Sequence, residues 1–321
     1  MGKWTLIALV GLVAFIYIFN ASWRVAAPEG RVQLLAHRGV HQTFDLEGVD
    51  NDTCTATRIR EPVAPEIENT IGSMRAAFDL GADVVELDVH PTTDGQFAIF
   101  HDWTVDCRTQ GAGATRDHDM AYLKTLDIGY GYTADGGKSF PLRGKGVGLM
   151  PTFSEVLTAF PEGKFLINFK SNEAREGDML AEMLAEHPAW RSNVWGVYGG
   201  AAPTNRAIER IVGLRGYSGG SLKRCIVRYI ALGWTGFVPE DCRNTILLVP
   251  LNVGPWLWGW PHLFAARMQA AGSTIILRGD YGGGILPGGI DTEADMARVP
   301  DGFSGYVWTN EIARIAPLLQ N

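Results

Sequence analysis

The sequence predicts an α/β fold, a (β/α)8 barrel preceded by a single N-terminal transmembrane helix. Short, continuously apolar runs suited to parallel strands buried on both faces recur along the chain. Amphipathic stretches alternate with them. No glycine-rich phosphate loop joins a strand to a helix, which argues against an open dinucleotide-binding sheet. The 321 residues suffice for one barrel and a leader. With 46% hydrophobic and 20% charged residues the composition is globular, which excludes disorder and fibrous folds. A formal net charge of −7 and no long basic run leave no footing for a nucleic-acid partner. No repeat of roughly 20–50 residues is present, so a solenoid is excluded.

From Trp4 to Trp23 no residue is charged, and tryptophan stands at each end. At about 1.5 Å per residue such a helix covers the ~30 Å hydrocarbon core of a bilayer. Residues 1–24 are therefore expected to be a membrane anchor. The alternative is a cleaved signal peptide, against which Pro28 directly follows the small pair Ala26-Ala27. Lys3 flanks one side and Arg24 and Arg31 the other, so the positive-inside rule does not orient the span. A very short tail before a single span favours export, placing the remaining domain, residues 25–321, in a periplasmic or extracytoplasmic compartment. The four cysteines contain no CxxC pair, so zinc is not expected. Two disulfides fit an oxidising compartment, with Cys225–Cys242 the most local pairing and Cys54–Cys107 a candidate bridge; four cytosolic thiols are the alternative.

Strands are expected at Val32–Ala36, Asp83–Val89, Phe165–Phe169, Val194–Val197, Ile246–Val249, Thr274–Leu277 and Tyr306–Trp308, with a short one near Leu214–Tyr217. Helices are expected at Asn69–Leu80, Phe153–Phe160, Asp178–His187, Asn205–Val212, Leu222–Leu232 and His262–Ala271, and Gly81 and Gly272 follow two of them as C-terminal stops. Two segments break the rhythm, polar 40–65 and glycine-rich 106–150. Both follow strand ends, which places them over the C-terminal, functional face of a barrel.

Chemistry collects at those strand ends. The first run ends in His37-Arg38-Gly39, the second carries Glu86 and Asp88, and His101-Asp102 follows Phe97–Phe100. The third run carries Asn168 and Lys170. The strand period of two puts Glu86 and Asp88 on one face, and Asn168 and Lys170 likewise. A lone strand-end histidine is commonly structural, and Glu-x-Asp on a strand is usually solvated. Here the surrounding Val84–Val89 run is apolar enough to be central, so two inward carboxylates call for a cation. Oxygen ligands favour Mg²⁺ or Ca²⁺ over zinc. Two histidines near neutral pKa supply an acid and a base, while Arg38 and Lys170 supply charge for an anion with non-bridging oxygens. That set suits phosphodiester cleavage.

His37-Arg38-Gly39, Glu68-Asn69-Thr70, Gly81-Ala82-Asp83 through Glu86-Leu87-Asp88-Val89, Asp94-Gly95 and His101-Asp102 together resemble the glycerophosphodiester phosphodiesterase family. Pro151–Leu157 and the strand ending in Lys170 are also similar to it, whereas beyond Asn172 the likeness rests on barrel rhythm and Trp308-Thr309-Asn310. The resemblance implies a TIM barrel that hydrolyses glycerophosphodiesters, with a divalent metal, to an alcohol and glycerol 3-phosphate. It implies His37 and His101 as the acid/base pair, Glu86 and Asp88 as metal ligands, Arg38 and Lys170 at the phosphate, and Glu68 at the metal or the glycerol. Asn168 stands where the family has a third acidic ligand, from which weaker metal binding or a preference for Ca²⁺ is expected. Attack by the substrate's own glycerol hydroxyl, through a cyclic phosphate, and attack by water both remain open.

The segment 250–261 holds Trp256, Trp258 and Trp260. On the functional rim it would be an apolar patch for a lysophospholipid substrate, as in lysophospholipase D-type cleavage; the alternative is packing under the N-terminal insertion. A phospholipase D toxin-like barrel and a non-catalytic phosphodiester-binding membrane protein are the remaining alternatives.

Overall fold

The computed structural model describes residues 2–45, 48–49, 53–283 and 288–319. Strands β1 (Gln33–His37), β2 (Val84–Pro91), β3 (Phe97–Ile99), β4 (Phe165–Phe169), β5 (Val194–Gly199), β6 (Gly216–Ser218), β7 (Ile246–Pro250), β8 (Thr274–Arg278) and β9 (Tyr306–Thr309) form one sheet. Its order is β6-β5-β4-β2-β1-β9-β8-β7, all parallel, with β3 antiparallel on β2. The eight parallel strands curl almost into a closed barrel. Between β6 and β7 no ladder forms, and Thr245 Oγ1 donates to Gly216 O at 2.8 Å across the seam.

Each expected strand and barrel helix is present, with ends shifted by a few residues. Helices α2 (Ile71–Asp79), α4 (Phe153–Ala159), α5 (Ala174–Glu186), α6 (Ala201–Arg210), α7 (Gly219–Leu232) and α8 (His262–Ala270) surround the barrel; α1 (Lys3–Phe19) precedes it and α3 (Met120–Leu123) lies in the second insertion. Thr70, Thr152 and Ser218 cap α2, α4 and α7, each accepting the N–H three residues on, which explains why these helices begin where they do. The barrel interior is filled by Leu35, Val84, Leu166, Tyr217, Ile246, Leu248, Ile276 and Trp308, one or two from each of seven strands.

The two insertions, with β3 and the residues just after it, build a second core that includes Ile59, Phe100, Leu123, Leu126, Tyr132 and Met150. The Cys54–Cys107 disulfide staples it, with Cα atoms 5.5 Å apart, and Cys225–Cys242 ties α7 to the approach to β7 at 5.0 Å. Both expected pairings are formed.

The expected transmembrane span is not one unbroken helix. Helix α1 ends at Phe19 because Asn20 turns its amide back, donating to Ile16 O and to Trp234 O at 2.9 Å. Arg267 Nη1 donates to Asn20 Oδ1 at 2.9 Å, which pins the turn to α8. Among the described residues no helix is long and apolar enough to cross a membrane, although α1 buries none of its side chains. The tryptophan segment also differs from expectation. Leu257 is buried, Trp260 packs on Phe264, and Trp258 donates to Ile230 O at 2.7 Å, so the loop lies between α7 and α8. Only Trp256 of its tryptophans is exposed, and the patch expected at the rim is instead part of the barrel's outer packing.

Candidate active site

The turn after β1 sets the first histidine. Arg38 has φ of 56° and Gly39 of 79°, and a Cβ on Gly39 would meet the Ser73 backbone at 2.7 Å, so only glycine lets the chain pass over α2 there. This reverses the backbone and brings the Arg38 guanidinium back over the barrel: Nη1 donates to Glu68 Oε1 at 3.1 Å and Nε lies 3.2 Å from Asp88 Oδ2. Asn69, also at positive φ (59°), bridges to β2 by donating to Asp88 Oδ2 at 2.9 Å and accepting the Asp88 N–H at 3.2 Å. The Glu68-Asn69-Thr70 motif thus does three jobs in sequence: an ion pair, a clamp on β2 and a helix cap.

Glu86 and Asp88 point into the barrel and are fully buried. Asp88 is surrounded by donors: besides Asn69, Asn168 Nδ2 donates to Oδ1 at 2.8 Å and Lys170 Nζ stands 3.4 Å from it. Burial opposes ionisation of Asp88, but Lys170 and Arg38 outweigh it and hold the carboxyl well below the usual range. Glu86 behaves oppositely. Burial and the neighbouring Asp88 charge push it up, although Oε1 accepts the Tyr198 hydroxyl at 2.6 Å.

His37 Nδ1 is 2.6 Å from Asn310 Oδ1, and Asn310 is held in turn by Asp291, which accepts its side-chain N–H at 2.8 Å and its backbone N–H at 2.6 Å. With Nδ1 donating, His37 Nε2 carries the lone pair, 3.7 Å from Glu86 Oε2. His101 Nδ1 is 2.7 Å from Asp102 Oδ1, and Arg108 Nε donates to Asp102 Oδ2 at 2.8 Å. Arg108 Nη2 donates to Thr55 Oγ1 at 2.7 Å and Nη1 to Tyr132. Thr55 and Arg108 each adjoin a cysteine of the 54–107 disulfide, so the stapled insertion is the support beneath the second histidine. Burial lowers both imidazoles, His101 to about 4 with help from Arg38 and Lys170, and His37 well below its usual value with help from Arg38. Burial would raise Asp102, but Arg108 and the His101 hydrogen bond hold it well below the carboxylate range.

All eight expected residues thus line one mouth at the C-terminal ends of β1, β2 and β4 or in the segments over them. Two stand differently from expectation. Glu68 pairs with Arg38 and Arg108 (Nη1 at 3.2 Å) and does not join Glu86 and Asp88. Asn168 presents its amide N–H to Asp88, acting as a donor to a carboxylate. Among the described residues no group of three or more His, Cys, Asp or Glu side chains is arranged to hold a metal. A hard divalent cation nevertheless fits the donor chemistry at Glu86, an uncompensated buried carboxyl facing Asp88.

Sequence reasoning missed Asp291, Tyr198 and Arg108 and gave Asn310 no role. Tyr198 has a readable signal, a polar end to an apolar run. Arg108 and Asp291 lie in irregular segments and carry none.

The sequence model of the glycerophosphoryl diester phosphodiesterase family matches residues 37–213, more than half of the chain. The chain belongs to this family. A glycerophosphodiester phosphodiesterase of Caldanaerobacter subterraneus is 38% identical over 103 residues, 32% of this chain and 39% of the relative. One of Bacillus subtilis is 35% identical over 126 residues, 37% and 42% of the two chains. This chain therefore spans about two fifths of the length of these curated relatives. The fold extends further. The glycerophosphoryl diester phosphodiesterase domain of a Mycobacterium tuberculosis protein superposes with a TM-score of 0.64 at 16% identity, covering 90% of this chain and 98% of that one. An Oleispira antarctica phosphodiesterase in complex with the product sn-glycerol-3-phosphate does so with 0.56 at 18%, covering 90% and 97%. The family match ends at residue 213, so the His37 partners Asn310 and Asp291 lie outside it.

Proposed function

We propose that this family member hydrolyses glycerophosphodiesters to an alcohol and sn-glycerol 3-phosphate, with His37 and His101 as the acid/base pair. The observation that carries this reading is two half-buried imidazoles at one mouth, each with Nδ1 engaged and Nε2 without a hydrogen bond among the described residues. Arg38 and Lys170 bind the non-bridging oxygens of the diester, and its negative charge raises both imidazoles toward working pH. His101 takes the proton of the attacking hydroxyl, because Asp102 stabilises the imidazolium that results. His37, held by the neutral Asn310 amide, gives its proton to the leaving alkoxide as the P–O bond to the alcohol breaks. The attacking oxygen is the substrate's glycerol hydroxyl or water; the same two proton transfers serve both. Glu86 and Asp88 would hold a Ca²⁺ or Mg²⁺ ion, with Asn168 contributing only after its amide turns. Such an ion, when bound, supplies charge that polarises the phosphoryl group.

Release of glycerol 3-phosphate from glycerophosphocholine, measured with Mg²⁺, Ca²⁺ or EDTA, tests this. Metal-dependent turnover that falls about 10²–10⁴-fold in His101→Ala is expected. Turnover unchanged in that variant would overturn the catalytic assignment. Turnover unchanged in EDTA would overturn the metal.

We also propose that α1 anchors the protein at a membrane with the barrel outside it, because most of its apolar side chains, from Trp4 to Phe15 and at Tyr17 and Ile18, are exposed. Deleting residues 2–19 should move the protein from the membrane to the soluble fraction; unchanged fractionation would remove the anchor.

A further inference from the structure

Two strands round the mouth from His37 lies a cation with no carboxylate to neutralise it among the described residues. Arg278 ends β8, two residues beyond Ile276, and so shares that residue's inward face. Its side chain is half-buried, its Nε is fully enclosed without a hydrogen bond, and among the described residues no carboxylate lies within ion-pairing distance. The two buried guanidinium groups of the mouth are both answered, Arg38 by Glu68 and Asp88, Arg108 by Glu68 and Asp102. Beside Arg278 stands Tyr217 on β6, 5% exposed, its hydroxyl also unpartnered. The Tyr217 ring stacks on Tyr198 at 5.2 Å and 17°, and Tyr198 donates to Glu86, so this pole is continuous with the catalytic one along the barrel wall.

A half-buried cation with an enclosed, unpaired Nε and no counter-ion is unfavourable unless a ligand brings the charge. The reacting phosphodiester already has Arg38 and Lys170. The glycerol arm of a glycerophosphodiester carries only hydroxyls, so a second negative group belongs to the other arm. We propose that Arg278 and Tyr217 form an anion-binding subsite for a phosphate or carboxylate on the leaving alcohol. The substrates preferred are then diesters whose alcohol is itself anionic, over those whose alcohol is neutral or cationic. This inference rests on the hydrolytic reading above. Arg278 donates in bidentate fashion to the anion, as guanidinium groups do to phosphates and carboxylates, and the Tyr217 hydroxyl adds a third hydrogen bond.

The test compares glycerophosphoglycerol with the same diester carrying a phosphate monoester on its second glycerol, in the parent, Arg278→Gln and Arg278→Lys. The parent is expected to favour the phosphorylated diester at least tenfold in kcat/KM, through KM. Arg278→Gln should erase that ratio, and Arg278→Lys should retain part of it because the charge remains. An equal fall for both diesters would place Arg278 at the reacting phosphate or in the fold alone and overturn the proposal, as would an unchanged ratio. If the parent cleaves neither diester, the hydrolytic reading fails by itself. The subsite is then decided by calorimetric titration of the uncleaved phosphorylated diester: binding to the parent that is lost in Arg278→Gln supports it, and equal or absent binding overturns it.

Discussion

On the β1–β2–β4 side of the mouth Arg38, Arg108 and Lys170 are each answered by a carboxylate, whereas on the β6–β8 side Arg278 has no carboxylate partner among the described residues. The first side is a network: Glu68 sits between Arg38 and Arg108, Asp88 between Arg38 and Lys170, and Asp102 between His101 and Arg108. Such a network fixes the geometry of catalytic groups before substrate arrives, at the cost of desolvating many charges. The second side keeps its charge for a ligand. Preorganisation and selectivity are thus divided between two parts of one barrel, and each can be broken separately.

The largest effect on the paired side is expected at Arg108. Arg108→Met leaves buried Glu68 and half-buried Asp102 each short of a partner, and should lower the unfolding free energy by about 3–5 kcal/mol. Denaturant unfolding measures it, and a loss below about 1 kcal/mol would mean that the network is not the support described. A smaller loss is expected behind His37. Asp291→Ala frees Asn310 to turn, and an outer partner that orients a working imidazole is worth about 10–100-fold in activity. That loss should appear in kcat with KM nearly constant; an effect on KM alone would make Asp291 a substrate contact.

The smallest and broadest effect is on pH dependence. Burial, aided by Lys170 and Arg38, lowers His101 to about 4, and burial aided by Lys170 lowers His90 to about 3. Both are neutral in the folded and unfolded chain above about pH 6.5, so their contribution is complete there. Below that pH the unfolded chain takes up protons the folded chain refuses, so stability falls as pH drops from about 6.5 toward 3. Glu86, raised by burial and Asp88, works in the other sense, losing stability as pH rises above the ordinary carboxylate range. His90→Phe should flatten the acid limb of stability against pH; an unchanged limb would mean that His90 titrates normally.

What could be read from the sequence follows a physical divide. A side chain on a buried strand is placed by parity, so Glu86, Asp88, Asn168 and Lys170 were legible once the apolar runs were found. His37 and His101 follow strand ends and were equally accessible. Partners that come from irregular segments were not, since Asp291 reaches Asn310, and Arg108 reaches Asp102, through loops with no period. The Trp258 loop misled for a related reason: composition marks it as apolar but does not say which surface it covers. Arg278 was passed over because an arginine ending an apolar run looks like a solvated terminus until its surroundings prove to lack a counter-charge.

The central claim is that His37 and His101 act in one reaction. A double-mutant cycle in kcat for glycerophosphocholine, using His37→Ala, His101→Ala and the double variant, tests it most directly. Residues working as a unit are strongly non-additive, so the double variant should be about as slow as the slower single one. Losses that multiply across the cycle, or a single variant with parental kcat, would contradict the account.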